Sequence, residues 1–296
     1  MANAITLANQ FVPILDEIYK LASLTAKLDG NPELARAGAN ANELIIPKLS
    51  MQGLGDYSRN GGYVSGDVTM TNETVNCNFD RGRMFTVDYM DNLETAGIAF
   101  GRLAGEFIRT KVVPELDAFR FATYAGITGI SKIAEGATLA DGAATVSALR
   151  AGTNKMDEDE VPTEDRHLFI TPTLHGMIQD MDTTKSREIL ARFADVTLVP
   201  QTRFYTAITQ YDGKTSGEEA GGYIKDATNG LDINFMIIHK SAVIQFEKHI
   251  APKIITPELN QTGDAYKFGY RNVGIADAYE NKVAGIYLHH KAKSST

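Results

Sequence analysis

Three groups of side chains have types or spacings from which catalysis, metal binding or phosphate binding is built. Asp157-Glu158-Asp159-Glu160, with Glu164 and Asp165 close behind, offers the hard oxygen ligands a divalent cation takes. The ligand spacing and central glycine of a calcium loop are missing, so the run reads as a solvated acidic loop. His167, His175, His239, His249, His289 and His290 form no HExxH pair, and Cys77 has no CxxC partner, so they read as core or surface residues. Gly213-Lys214-Thr215 has the ending of a phosphate loop, but Ile208 stands where an earlier glycine must let the backbone wrap. Gly53-Leu54-Gly55 is followed by Ser58 in place of the next glycine of a dinucleotide fingerprint, and no amphipathic helix opens there. A GxSxG nucleophile elbow is absent, and no cofactor is expected.

With no reaction centre in view, the elements themselves carry the reading. The 296 residues, 43% apolar and 22% charged, are those of a folded protein of one large or two modest domains. The net charge of -8 argues against a surface that grips a phosphate backbone. One cysteine cannot close an internal disulfide, and no charged stretch followed by an apolar run opens the chain, so a cytosolic birthplace is expected. Apolar runs such as Phe235–Ile238 fall far short of the roughly 20 residues of a membrane span.

Leucines and isoleucines three or four apart predict a helix from Pro13 to Leu28, followed by a turn at Asp29–Pro32 and a polar arm. Residues 44–49 read as a short strand, and Val68 to Phe85 as one longer strand. Between them lie Gly53, Gly55, Gly61, Gly62 and Gly66, a turn-rich tip. An isolated two-stranded ribbon is marginal in water, so something outside this one must support it. From Asp91 the stepping of Leu93, Ala96, Phe100, Leu103 and Phe107 predicts a helix with a capping-box start at Asp91 and Glu94. It continues through Val113, Leu116, Phe119 and Thr123 to Gly126, with a kink near Thr110 caused by Pro114, and with Arg102–Glu106 and Asp117–Arg120 pairing on the wet face. Beyond it, helices are predicted over 143–155, from Pro172 and over 185–194, with strands at 167–171, 196–199, 204–209 and 233–239. The tail reads as strands 253–255, 266–270, 273–278 and 283–289.

In order and spacing, Gly53-Leu54-Gly55-Asp56-Tyr57-Ser58-Arg59, Gly61-Gly62-Tyr63, Asp80-Arg81-Gly82-Arg83-Met84-Phe85, Val87-Asp88, Glu106-Phe107 and Val113-Pro114-Glu115-Leu116-Asp117 carry a resemblance. The chain resembles the major capsid proteins of tailed bacteriophages, with the Hong Kong 97-type fold, over nearly its whole length. The resemblance implies an α+β fold with an N-terminal arm (1–43), an extended β-hairpin loop (44–80) lying on an adjacent subunit, and a peripheral domain with a long spine helix (81–128 and 251–282). An axial α/β domain (129–250 and 283–296) would surround capsomer centres. It further implies a non-enzymatic shell subunit that self-assembles into hexamers and pentamers of an icosahedral virion and encloses double-stranded DNA. A separate scaffolding protein, a portal and decoration proteins would be its partners, and assembly would take place in the host cytoplasm.

Tyr57, Arg59 and Tyr63, with Arg81 and Arg83 from the second motif, are the expected intersubunit contacts, because arginine and tyrosine anchor interfaces well. Some relatives weld subunits through a loop lysine. Here Arg59 occupies the tip and residues 50–80 hold no lysine, so that crosslink is not expected. Two other readings stand beside this one: an encapsulin-like nanocompartment shell, and a cytosolic α/β enzyme using the acidic loop for a metal.

Overall fold

The structure is a computed structural model and describes residues 23–30, 36–37, 43–94 and 98–293. The chain enters with a turn and one 3-10 turn, Ala26–Leu28, then β1 (Arg36–Ala37), β2 (Glu43–Met51), β3 (Val68–Asn76) and β4 (Phe79–Asp88). A helical stretch follows, made of α1 (Tyr89–Glu94), α2 (Ile98–Phe107), a π turn (Ile108–Val112) and α3 (Val113–Gly126). Next come β5 (Ser131–Lys132), α4 (Gly142–Glu158), β6 (Arg166–Ile170), α5 (Pro172–Asp180), α6 (Thr184–Ala191) and β7 (Asp195–Leu198). The chain ends with β8 (Ile208–Gln210), β9 (Tyr223–Lys225), β10 (Ile233–His239), β11 (Val243–Ile255), β12 (Ala265–Ala278) and β13 (Ile286–His290).

Among the described residues these strands form a β1-β2-β3 ribbon, a three-stranded sheet β11-β12-β4, a five-stranded sheet β5-β13-β10-β6-β7 and the hairpin β8-β9. The five-stranded sheet is mixed, with β10 antiparallel to both neighbours and parallel pairs at its two edges. All seven residues of β10 are buried, as its unbroken run Ile-Asn-Phe-Met-Ile-Ile-His requires of a strand covered on both faces. Phe235 and Ile237 pack against Val146 and Leu149 of α4 and Ile178 of α5, while Met236 and Ile238 share the other core with Leu28, Phe121 and Tyr124. In α4, Gly152 lets the helix sit close, since a Cβ there would come within 2.9 Å of the Tyr287 ring. The three-stranded sheet packs Phe79, Phe268 and Tyr270 against Ile108, Val112 and Leu116 of the helical stretch.

Several expectations need correction. Of the expected helix from Pro13, residues 13–22 lie outside the described residues, as does most of the arm, and 23–28 is a turn with a single 3-10 turn. Its Leu24 and Thr25 amides donate to the Asp117 carboxylate (3.2 and 3.4 Å) rather than back along a helix. The expected strand Val68 to Phe85 is two strands in different sheets, broken at Cys77–Asn78. There the Asn78 side chain caps β12, donating to the Ala276 carbonyl (2.7 Å) and accepting from the Ala276 amide (3.1 Å). Helix α1 starts at Tyr89, where Asp88 accepts from the Met90 amide (2.9 Å), two residues before the expected capping box. The side chains of 93–101, which open the expected apolar stripe, are outside the description.

Asp117 and Arg120 do not form a wet pair. Both are buried, because segment 23–30 covers that side of α3. Glu106 pairs with Arg109 (2.7 Å) and not Arg102. The helix is interrupted at 108–112, where Pro114 has no amide to close the ladder, and the ladder widens to a π turn with the Thr110 hydroxyl donating to the Glu106 carbonyl (2.6 Å). The acidic run begins at the end of α4, and two of its carboxylates are paired: Asp157 meets Arg166 (2.7 Å) and Arg192 (2.9 Å), and Asp159 meets Lys155 (2.7 Å). The short tail strands expected at 253–255, 266–270 and 273–278 merge into β11 and β12, and the strand expected over 204–209 shrinks to Ile208–Gln210.

Candidate subunit interface

The feature that leaves the body of the molecule is the β2-β3 finger. Its ladder runs from Glu43↔Asn76 out to Met51↔Val68, nine residues per strand or about 30 Å. The root is anchored. Val75 is buried with Ile244 and Ile275, flanked by Ile46, Cys77, Phe246 and Tyr279. Lys48 bridges Glu280 of the body and Glu73 across the ladder (2.9 Å), and those two carboxylates hold its ammonium above the usual lysine range.

Outward from that root, the finger exposes what proteins usually bury. Leu49, Met51, Val64, Val68 and Met70 are each 60–69% exposed, Tyr63 is 90% exposed and Leu54 has no cover at all. Ser58 and Gly62 close the tip by exchanging backbone hydrogen bonds (3.2 and 2.8 Å), with Gly62 at φ +76°, a conformation that favours glycine. This turn sets the Tyr57 and Tyr63 rings edge to face at 5.0 Å. Arg59 sits in the same turn. The tip therefore presents two exposed tyrosines and one exposed arginine on a closed loop.

Arg81 and Arg83 are placed differently. They project from β4 into a cleft of about 1120 Å³ between β4, the helical stretch and the loop 211–222. Arg81 donates to Glu115 (2.8 Å) and to the Tyr211 carbonyl (2.7 Å); Arg83 donates to the carbonyls of Ala220 (2.9 Å) and Glu219 (2.8 Å). These guanidiniums grip a loop of their own chain, where glycines 213, 217, 221 and 222 all take positive φ. The structure thus brings Tyr57, Arg59 and Tyr63 together and sets Arg81 and Arg83 apart from them. In the same loop, Asp212 accepts from the Thr215 amide (2.8 Å) and hydroxyl (2.7 Å) and the Lys214 amide (2.7 Å), which pulls its pKa down to about 2. The loop amides that a phosphate would need already serve that carboxylate.

Sequence reasoning missed the root of the N-terminal segment. Asp117, with no exposure, accepts from the hydroxyls of Ser23 and Thr25 (both 2.9 Å) and from Arg203 (3.3 Å). Arg120 donates to the Thr25 hydroxyl (2.8 Å) and to Glu247 (3.1 Å). Gln245 ties the Thr25 carbonyl (2.7 Å) and Asp29 (2.6 Å), and accepts from the Tyr124 hydroxyl (2.8 Å), whose burial pushes its pKa up. The available signal was the apolar company of Leu116, Ala118, Phe121 and Tyr124, which wraps most of α3 and leaves no face for solvent.

This architecture has relatives. The chain aligns with one from Mycobacterium phage Che8 at a TM-score of 0.59 and 13% identity, covering 90% of each chain. It aligns with the capsid of the cyanophage P-SCSP1u at 0.56 and 12% identity, covering 88% of this chain and 86% of the other. A virus-like particle from Pyrococcus furiosus gives 0.56 at 12% identity, covering 93% and 95%. No protein-family model matches the chain, and no curated protein sequence matches it. The mixed helix-and-strand architecture is that of phage capsid structures, and the expectation of a tailed-phage capsid fold is borne out.

Proposed function

We propose that this chain is a non-enzymatic structural subunit of an icosahedral phage head, assembling into hexamers and pentamers around double-stranded DNA. The observation that carries the reading is the finger, whose apolar and aromatic side chains lie outside the body that anchors its root. A surface of this kind costs free energy in water and is stabilised by burial against another molecule. The fold supports it, being shared along almost the full length of the chains aligned.

In this reading 1–43 is the arm, 44–80 the finger that lies on a neighbour, 81–128 with 251–282 the peripheral domain, and 129–250 with 283–296 the axial domain. Tyr57, Arg59 and Tyr63 make the contact between subunits. A scaffolding protein, a portal and decoration proteins complete the particle, which forms in the host cytoplasm and ends as a virion. The charge of -8 per chain suits a container from which duplex is later released, since few phosphate contacts have to be broken.

Electron microscopy of the purified chain is the test: closed shells are expected, and a population of small soluble oligomers alone overturns the reading. A second reading, an encapsulin-like cellular shell, is favoured by the likeness to the Pyrococcus furiosus particle. Particles that contain a packed enzyme and lack DNA and a portal vertex would select it. Of the carboxylates that a metal-dependent enzyme would use, Asp157 and Asp159 are committed to Arg166, Arg192 and Lys155.

A further inference from the structure

We propose that Asn60 is a site of spontaneous covalent modification, where the side-chain amide is displaced by the backbone nitrogen of Gly61 and water then leaves aspartate or isoaspartate in its place. The inference goes beyond the shell reading and does not depend on it.

An asparagine or aspartate followed by glycine is prone to cyclise, because no Cβ on the second residue crowds the attacking nitrogen. The chain holds two Asn-Gly pairs, Asn60-Gly61 and Asn229-Gly230, and three Asp-Gly pairs, beginning at Asp29, Asp141 and Asp212. The fold ties down all of these but the first. The Gly230 amide donates to the Asp226 carbonyl (3.1 Å), the Asn229 amide donates to the Asp226 carboxylate (2.7 Å), and the Asn229 carbonyl accepts from the Thr206 hydroxyl (3.0 Å). A Cβ at Gly230 would lie 2.4 Å from the Asp226 carbonyl oxygen, so the backbone there has no room to turn. Asp29 accepts from the Gln245 side chain (2.6 Å) while the Gly30 amide donates to the Gln245 carbonyl (3.0 Å). Asp141 caps α4 through the Ala144 amide (2.7 Å), and Gly142 is buried. Asp212 is held by Lys214 and Thr215 as a carboxylate, a form with no leaving group to lose.

Asn60 differs on each count. Every residue from 51 to 61 is exposed. Among the described residues no hydrogen bond holds the Asn60 side chain, and the Gly61 amide donates to the Ser58 hydroxyl (3.2 Å), an exposed partner on a rotatable side chain. A Cβ at Gly61 would meet Ser58 alone, at 3.5 Å, so the backbone can rotate as a ring closes. The hydrogen bonds exchanged by Ser58 and Gly62 hold the turn from its ends, which lets Asn60 and Gly61 move without opening the ladder behind them.

The chemistry balances with water alone. The Gly61 nitrogen bonds to Asn60 Cγ, the Cγ–Nδ2 bond breaks, and the Gly61 amide proton leaves with the amine as ammonia. Water then adds to one carbonyl carbon of the ring, breaking its bond to nitrogen and returning a proton there. Opening at Cγ leaves aspartate; opening at the main-chain carbon leaves isoaspartate, whose backbone is longer by a methylene. Both products set a new carboxylate beside Arg59. Isoaspartate also stretches the span between Ser58 and Gly62, the closure that holds the Tyr57 and Tyr63 rings at 5.0 Å.

The test is to age the purified full chain in mildly alkaline buffer and follow each Asn-Gly pair over days by peptide mass mapping, with isoaspartate read by enzymatic methylation. In the folded chain Asn60 should convert at least about tenfold faster than Asn229, which must first open locally. In concentrated urea the two rates should draw together. Gly61→Ala, at a position where a Cβ makes ordinary contacts, should slow conversion at residue 60 several-fold. Equal rates at the two sites in the folded chain, or an Asn60 that converts in urea alone, would overturn the inference. So would an unchanged rate in Gly61→Ala, or aspartate formed without isoaspartate, since each marks direct attack by water in place of the ring. No reading here requires particles, so a failure of the shell reading would leave these outcomes standing.

Discussion

The finger and the segment 23–30 are both excursions beyond the two main sheets, and they treat their side chains in opposite ways. Segment 23–30 turns inward: Leu28 and Thr25 have no exposure, and its polar groups are matched by Asp117, Arg120 and Gln245. The finger keeps only its root and turns the remainder outward, with its tip glycines closing a loop over open space. One excursion belongs to folding the subunit and the other, in the proposed function, to joining subunits. A substitution should therefore damage either the isolated chain or the assembly, according to which excursion it enters.

The comparison breaks most sharply at Asp117. Asp117→Ala strands the buried Thr25 groups and Arg203, and should cost the unassembled subunit about 3–5 kcal/mol, read from denaturant unfolding. An effect below about 1 kcal/mol would mean that the segment is held by packing alone. Leu28→Ala tests that packing and should cost about 2–5 kcal/mol in the same measurement.

A pH scan separates body from finger, since residues 44–76 contain no histidine. His289 is buried on β13 against Asn234 (3.0 Å) and Phe235, and burial followed by the neighbouring His290 pushes its pKa down to about 4. An unfolded histidine titrates near 6.5. Between the two values the unfolded chain binds the extra proton, so stability is present above about pH 6.5 and lost as pH falls towards 4, by up to about 3 kcal/mol. Stability curves of the chain and of His289→Gln should differ in slope across that window. Parallel curves would locate the acid sensitivity elsewhere.

The smallest effect on the subunit is expected at the tip. Arg59→Ala, or Tyr57→Ala with Tyr63→Ala, should move the unfolding free energy of the isolated chain by no more than about 0.5 kcal/mol. The same variants should lower the denaturant resistance of assembled shells, and equal loss in both states would remove the tip from the interface.

How much of this was legible in the sequence depends on the range of the interactions involved. β10 could be read from its own composition, because a strand covered on both faces is apolar at nearly every position. The finger could be read from local glycine density, and the interruption near Thr110 from Pro114 four residues on. Asp117 and Arg120 could not, because three- and four-residue spacing marks them as a surface pair, and only a segment some ninety residues earlier in the chain makes that side interior. The break at Cys77–Asn78 was hidden in the same way: nothing local in Val-Asn-Cys-Asn-Phe says that the Asn78 side chain will bond the backbone of Ala276, on a strand about two hundred residues away. Arg81 and Arg83 read as interface contacts from residue type alone, and nothing local shows that they also hold the loop 211–222 of their own chain.

The π turn at Ile108–Val112 has a consequence for how the helical stretch may vary. A turn of this kind accommodates one residue more than an ordinary helical turn, and each residue of an α-helix rotates the following ones by about 100°. Shortening 108–112 by a single residue would straighten the rod and leave every hydrogen bond of α3 intact. Because the wider turn absorbs its extra residue locally, Asp117 and Arg120 would still face Thr25 while Leu103 and Phe107 stayed in place. The two ends of the rod keep their mutual phase with that spare residue or without it, so the faces they present are constrained more tightly than the length of the rod at this point.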